Sequence, residues 1–501
     1  MSIQLRKAIA ALVIVGCGAA FAIGAVSARP ERDVTTRSDE AYAAYEQGME
    51  HLAQFRYEEA QQSWRRAVAL DPHFAMAWGR IANLSMSMGQ RDSANAALAQ
   101  ARASSARLQE IEQLRLDKIE ARIQRRLEAE FEASRSILER YPDDTESMLS
   151  IHAHSRARGD LDTCLEMLER VLAIEPENFV VYNELGYVLA DLGRFDEATA
   201  AFQKYAFINP DEPNPHDSLG ELYERIGRYE DAVAEYERAL EVDPRFWFAY
   251  IHQARVALTL GRFDKADAIL EKAADAADTP GSEFHNAFMR VDLAHQRDGV
   301  RAMVEAISDL PTLPDTWQTD SLWVAAWGAR LARNSAALDA VTRKFDKMKA
   351  RFEEEVPEEP FLAKRFARTA RFLDSQRAWL NGDFASADEA ITDLMEQRTE
   401  WFMSDCMLLD QAQLLTELGR YDEVAARLQP VLDRNPRHPE ANLRMGIAMA
   451  GAGRSVAAAS HCAMALASWG KADRGHRLVA QADRVFEEAL RKSARGSTPA
   501  S

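Results

Sequence analysis

Few side chains in this sequence are spaced for chemistry. His152 and His154 stand two apart, as a metal pair might. On a helix such residues point in different directions, so the two imidazoles cannot easily share an ion. His461 and Cys462 are adjacent, which sends one inward and the other outward. Ser468 and Lys471 have the spacing of a serine–lysine nucleophile, but no supporting motif surrounds them. The sequence contains no HExxH, no G-x-S-x-G and no Gly-rich phosphate loop. Carboxylates number 79, too many for a catalytic pair to stand out. Of the four cysteines, Cys17 lies near the N-terminus, and Cys164, Cys406 and Cys462 are far apart and odd in number, which is no disulfide framework. Cys164 and Cys462 fall where helices should bury them as small apolar filler. The expectation is a non-enzymatic protein with no metal and no cofactor.

The elements that would position any site are bounded by size and charge. At 501 residues the chain is too long for one ordinary core. Apolar residues make up 47%, so most of it can fold. The net charge of −18 disfavours nucleic acid, since phosphate binding needs clustered Lys and Arg, and it disfavours docking of the body on anionic lipid.

A repeat dominates the chain. Leu70-Asp71-Pro72, Ile174-Glu175-Pro176, Ile208-Asn209-Pro210 and Val242-Asp243-Pro244 are variants of one ending, and the steps 210 − 176 and 244 − 210 both equal 34. Leu185-Gly186 recurs as Leu219-Gly220. Gly193-Arg194-Phe195-Asp196-Glu197-Ala198 recurs as Gly227-Arg228-Tyr229-Glu230-Asp231-Ala232, and again from Gly261 and from Gly419. A small residue at position eight (Gly48, Ala82, Gly186, Gly220, Ala254, Gly446) would let two helices approach, against the alanine at position twenty. Glycine at fifteen ends the first helix and acid at eighteen suits the start of the second. Large residues at twenty-four (Trp64, Phe202, Tyr236, Leu270, Leu428) would fill the space between units, and proline at thirty-two stops the second helix.

On these residues the sequence resembles the tetratricopeptide repeat family, with close units starting at Ala41, Ala75, Thr145, Phe179, Pro213, Trp247, Asp405 and Pro439 and looser ones near Ile111, Glu283, Gln318 and Arg368. The resemblance implies an all-α fold, a right-handed α-solenoid of about twelve helix-turn-helix repeats. It divides the chain into a first repeat block over 41–280, degenerate helical repeats over 281–367, a second block over 368–472, a capping helix over 473–492 and a disordered tail over 493–501. Trp323, Trp327 and Leu331 share one helix face and should pack.

The resemblance also implies binding of a protein or peptide in a concave groove lined by positions two, five, six, nine, twelve and thirteen. Those positions give Tyr42, Tyr45, Met49, Arg80, Asn83, Asn183, Tyr187, Asn214, Phe248, His252 and Arg255. Such a mixture suits an extended peptide or a helix, because amphipathic aromatics supply area and Asn can bond a peptide backbone. Tyr45, Tyr187 and Phe248 are the expected anchors, while Arg255 and Glu184 are expected to govern salt dependence and association rate. The clamp that chaperone-binding relatives close on a C-terminal carboxylate is not reproduced: Asn83 is present, but Gly79 stands where the clamp's lysine belongs.

The start of the chain reads as a targeting segment. Arg6-Lys7 precede an uncharged, mostly apolar run from Ala8 to Ala28, ending in Val26-Ser27-Ala28. Cleavage after Ala28 would release a soluble protein, and retention would leave 8–28 as a membrane anchor. Ile14-Val15-Gly16-Cys17 offers lipidation as a third outcome. In each case residues 29–40 form a linker and the body lies outside the cytoplasm, periplasmic or membrane-anchored. The function expected is a scaffold or adaptor of the cell envelope. The alternative is an accessory subunit positioning substrates for an envelope enzyme or assembly system, for example cytochrome maturation. The sequence leaves the partner and the oligomeric state open.

Overall fold

The computed structural model describes residues 34–53, 56–88, 90–124, 126–310, 318–355, 360–396 and 401–496. The targeting segment over 1–28 lies outside the described residues. Among the described residues no helix is long and apolar enough to cross a membrane. The chain divides into two compact units, Met1–His154 and Ser155–Ser501, each taken by itself below.

The described residues are all-α, with 25 α-helices forming twelve helix-turn-helix pairs and a final helix. The helices before the division are α1 (Asp39–Ala53), α2 (Tyr57–Leu70), α3 (Ala75–Ser87), α4 (Arg91–Ala103), α5 (Glu110–Ile123) and α6 (Leu127–Arg140). Helix α7 (Thr145–Arg158) carries the division itself. Then follow α8 (Leu161–Ile174), α9 (Phe179–Asp191), α10 (Phe195–Ile208), α11 (Asn214–Arg225), α12 (Tyr229–Val242), α13 (Trp247–Thr259), α14 (Phe263–Ala276), α15 (Pro280–Asp298) and α16 (Val300–Ser308). The chain continues with α17 (Gln318–Leu331), α18 (Ser335–Glu355), α19 (Pro360–Leu380), α20 (Phe384–Glu396), α21 (Trp401–Glu417) and α22 (Tyr421–Arg434). It ends with α23 (Pro439–Gly451), α24 (Ser455–Ser468) and α25 (Arg477–Gly496).

The packing inside each pair corrects one expectation. The glycine at position eight faces the residue at twenty-four of its own repeat. A Cβ on Gly186 would lie 2.6 Å from the Phe202 ring, on Gly220 2.5 Å from Tyr236, and on Gly48 2.3 Å from Trp64. Those three rings are buried, so a methyl group at the glycine has nowhere to go. Where position eight is alanine (Ala82, Ala254, Ala412), position twenty-four is leucine (Leu98, Leu270, Leu428). In these six repeats the two positions trade volume, no side chain against an aromatic ring and one methyl against a branched aliphatic, while Gly446 faces the Cys462 sulfur, 2.6 Å from a Cβ placed there.

In the first unit the chain before α1 is held down. Thr35 donates its backbone N–H and its hydroxyl to the buried Glu112 carboxylate at 2.6 and 2.5 Å, and the Thr36 hydroxyl donates to Asp71 at 2.6 Å. The described end of the expected linker is thus part of the fold.

The second unit closes on itself, which the repeat pattern does not announce. The turn after α22 meets the turn before α12: Asn435 Nδ2 donates to the Tyr229 hydroxyl at 3.0 Å, and Arg437 to Glu230 at 3.1 Å. One repeat further along both segments, Trp469 Nε1 donates to the Thr259 carbonyl at 3.0 Å. The Asp473 N–H donates to the Gly261 carbonyl at 2.9 Å, and the Asp473 carboxylate accepts the Asp264 N–H at 2.9 Å. Arg477 donates to the His295 carbonyl. Glycine is required on the receiving side. Gly227 and Gly261 have φ of 79° and 67°, and a Cβ there would lie 2.2 Å from Asn435 Oδ1 and from His476 Cδ2 respectively.

Trp323 and Trp327 pack as expected, with Trp323 stacked on Phe372 at 4.1 Å. The last helix begins later and runs further than the sequence suggests. Ser493 to Gly496 are helical, so the expected tail is shorter, and residues 497–501 lie outside the described ones. Ala482 and Ala489 face inward, whereas Leu490 is exposed.

Candidate interaction surface

The expected groove residues divide by repeat position. Those at position two stay near the surface: Phe248 is 43% exposed, and Tyr42 and Asn214 are half-buried. Phe248 stacks on Trp247 at 3.8 Å, which fixes its ring without covering it. Positions five and nine leave Asn183, Tyr187, Met49, Asn83 and Arg255 half-buried. At position six Arg80 and His252 are lost to the interior, 8% and 9% exposed, while Glu184 stays half-buried.

Two expected roles are corrected here. Tyr45, expected as a partner anchor, is 2% exposed, lies against Phe74 at 5.1 Å and accepts a hydrogen bond from Arg80 Nε at 3.2 Å. It belongs to the core of the first unit. Arg255, expected to tune association, donates twice to Glu224, at 2.7 and 2.9 Å, with both side chains largely buried. Burial pulls the Arg255 guanidinium down, but Glu224 outweighs it and holds the pKa above the ordinary range. Removing such a buried partner is structural damage before it is a change in binding.

The charged residues of this face act as braces between successive first helices. In the second unit, Tyr187 on α9 donates its hydroxyl to Glu221 on α11 at 2.9 Å and lies 3.1 Å from the Ser218 hydroxyl. His252 on α13 pairs with Asp217 on α11 at 2.9 Å. Burial works against a charged His252, but Asp217 and then Glu221 more than offset it and raise the pKa. Asn214 Nδ2 donates to the Tyr205 hydroxyl at 3.2 Å. In the first unit Arg80 pairs with Glu146, and Arg122 donates to Asn83 Oδ1 at 3.2 Å. Burial opposes ionisation of Glu146, yet Arg80 and Lys118 hold its carboxyl down at about 2. The repeat register places these residues on the groove face but cannot say that they spend their polar atoms on one another.

The residues first considered for chemistry are held in structural contacts. His154 stacks on Phe131 at 4.3 Å. His461 Nδ1 lies 3.0 Å from Asn442 Oδ1, and the Ser468 hydroxyl donates to the Arg437 carbonyl at 2.8 Å. Cys164 and Cys462 are buried, while Cys406 is exposed. No group of three metal-capable side chains comes together among the described residues.

The family comparison finds the same repeats. Family models described as tetratricopeptide repeat match residues 155–222, 218–282 and 409–473. The chain therefore carries tetratricopeptide repeats in those segments, and repeats of this kind point to a protein–protein interaction scaffold. Among solved structures it is similar to the APC/C hetero-tetramer Cut9–Hcn1 at 14% identity, covering 97% of this chain and 81% of that one, with a TM-score of 0.44. It is similar to yeast Tom70 at 15% identity, covering 92% and 97%, with a TM-score of 0.32. It is similar to MamA at 20% identity over 32% of this chain and 93% of that one, with a TM-score of 0.30. No curated protein matches the sequence.

Proposed function

We propose that this protein is a non-catalytic scaffold or adaptor of the cell envelope that holds a polypeptide segment along the first-helix face of α9, α11 and α13. The observation that carries the reading is the Phe248 ring, held in place by Trp247 yet 43% exposed at a groove position. An apolar ring fixed before binding loses little entropy on association, which suits an anchor. Asn214 stands on the preceding first helix, α11, and Asn183 on the one before that, α9. Asp217 and Glu224 are already paired with His252 and Arg255, so the bound segment meets this face chiefly through an apolar side chain placed against Phe248. Export rests on Arg6-Lys7, the apolar run and Val26-Ser27-Ala28.

Two experiments test this reading. A photoreactive amino acid at Phe248 should cross-link a polypeptide in intact envelopes, while the same group at Phe207, 78% exposed on the second helix α10, should not. Adducts from 207 alone would move the site off the first-helix face. A reporter active only outside the cytoplasm, fused after Ser501, should be active; activity of a cytoplasm-only reporter there would refute export.

A further inference from the structure

The closure of the second unit is built on a short motif that occurs twice. Asn435-Pro436-Arg437-His438 precedes α23, and Asp473-Arg474-Gly475-His476 precedes α25. In each, the first residue reaches across the closure: Asn435 to Tyr229, and Asp473 to Gly261 and Asp264. The fourth residue caps the helix that follows. His438 Nδ1 accepts the Ala441 N–H at 3.2 Å, and His476 Nδ1 accepts the Leu478 N–H at 3.1 Å. First and fourth residues are tied by a backbone bond, from the His438 N–H to the Asn435 carbonyl at 3.0 Å and from the His476 N–H to the Asp473 carbonyl at 3.4 Å. The His476 ring also stands in the closure itself, 5.0 Å from Phe263 and 5.1 Å from Trp469.

A ring nitrogen that accepts a hydrogen bond carries no proton, so both caps require neutral imidazole. Protonation would aim a new N–H at helix N–H groups and place a positive charge at the positive end of the helix dipole. We propose that His438 and His476 form a pH-sensitive latch, which keeps the second unit closed while both rings are neutral and releases the turns at 435–438 and 473–476 when they are protonated.

The surroundings set the direction. His438 faces Asp405 on α21, Arg434 on α22, Glu440 on α23 and Glu224 on α11. His476 faces Glu440 on α23, Asp473 in its own turn and Arg477 on α25. The carboxylates favour the charged form, but burial is the larger effect for both rings, helped by Arg434 and Arg477, and the net result is a lowered pKa. A histidine whose pKa is lower in the closed state than in the open one binds its proton more readily once open. The closure is therefore complete above the ordinary histidine pKa of about 6.5 and is lost as pH falls through the lowered value.

Side-chain caps that do not titrate between pH 5 and pH 7.5 exist elsewhere in the chain. Asn178 Oδ1 accepts the Val181 N–H at 3.3 Å, and Asp144 Oδ1 the Ser147 N–H at 2.9 Å, at the same repeat position as His438. His438→Asn with His476→Asn should keep both caps and remove the titration. The test is hydrogen exchange at the Asp264, Asp473, Ala441 and Leu478 amides of the full chain at pH 7.5 and pH 5, corrected for the intrinsic pH dependence of exchange. The parent should lose protection at these four amides about tenfold or more at pH 5 while α9 and α10 keep theirs, and the double variant should lose none. Equal protection in the parent at both pH values, or the same loss in the double variant, would overturn the proposal. Small-angle scattering of the unmodified parent gives an independent check: its radius of gyration should rise reversibly at pH 5 with an unchanged helical circular dichroism signal. An unchanged radius, or expansion accompanied by loss of helix, would overturn it without any variant.

Discussion

The repeats between α11 and α14 present two surfaces with opposite fates. Their first helices offer a face on which Phe248 stays open, while their intra-repeat turns, at 227–230 and 261–264, are covered by turns from about two hundred positions later. Both surfaces are repeated every 34 residues, so both look equally available to a partner in the sequence. The difference lies in local chemistry. The turns expose backbone carbonyls and glycines with no side chain, which another turn can approach closely; the first-helix face is already braced by its own ion pairs and leaves only selected side chains for a partner.

The largest effects should come from substitutions that ignore this division. Phe202→Ala and Tyr45→Ala both empty buried sites and should each cost about 3–5 kcal/mol, seen as a fall in the denaturant midpoint. An undiminished midpoint for Tyr45→Ala would return that residue to the binding face. Arg255→Ala should cost about 3 kcal/mol or more by leaving Glu224 buried without its partner, and a purely kinetic effect on binding would contradict the brace.

Gly227→Ala sharpens the comparison from the other side. It forces a side chain into the left-handed region and against Asn435, so it should cost about 1–2 kcal/mol. Exchange protection should fall at Asp473 and Asp264 more than in α9. Acid should also lower the stability of the first unit. Glu146 is held down at about 2, so its contribution to the first unit is present above the ordinary carboxylate range and lost as pH falls from about 4.5 towards 2. Glu146→Gln should flatten that part of the pH–stability curve and leave the second unit unchanged.

Much of the fold can be read from the 34-residue period. Glycine at fifteen, acid at eighteen and proline at thirty-two mark helix ends by backbone chemistry, which depends on nearest neighbours alone. The pairing of positions eight and twenty-four was also present in the sequence, as glycine with Trp64, Phe202 and Tyr236 and alanine with Leu98, Leu270 and Leu428. The site was legible only in part. Arg80, His252 and Arg255 stand at groove positions, but their partners Glu146, Asp217 and Glu224 lie on other helices, and a period cannot choose among 79 carboxylates. The closure left one trace in the sequence, an Asn/Asp-x-x-His placed directly before the helices α23 and α25.

The smallest expected effect on stability belongs to the residue with the largest expected effect on binding. Phe248→Ala should change stability by less than about 0.5 kcal/mol, because the ring is exposed. The most direct test of the account is the affinity of the partner cross-linked at position 248 for the parent, for Phe248→Ala and for Phe207→Ala. The account predicts a loss of about 1–2 kcal/mol, roughly five- to thirty-fold, for Phe248→Ala and none for Phe207→Ala. Unchanged binding by Phe248→Ala together with loss in Phe207→Ala would contradict it and place the partner on the second helices.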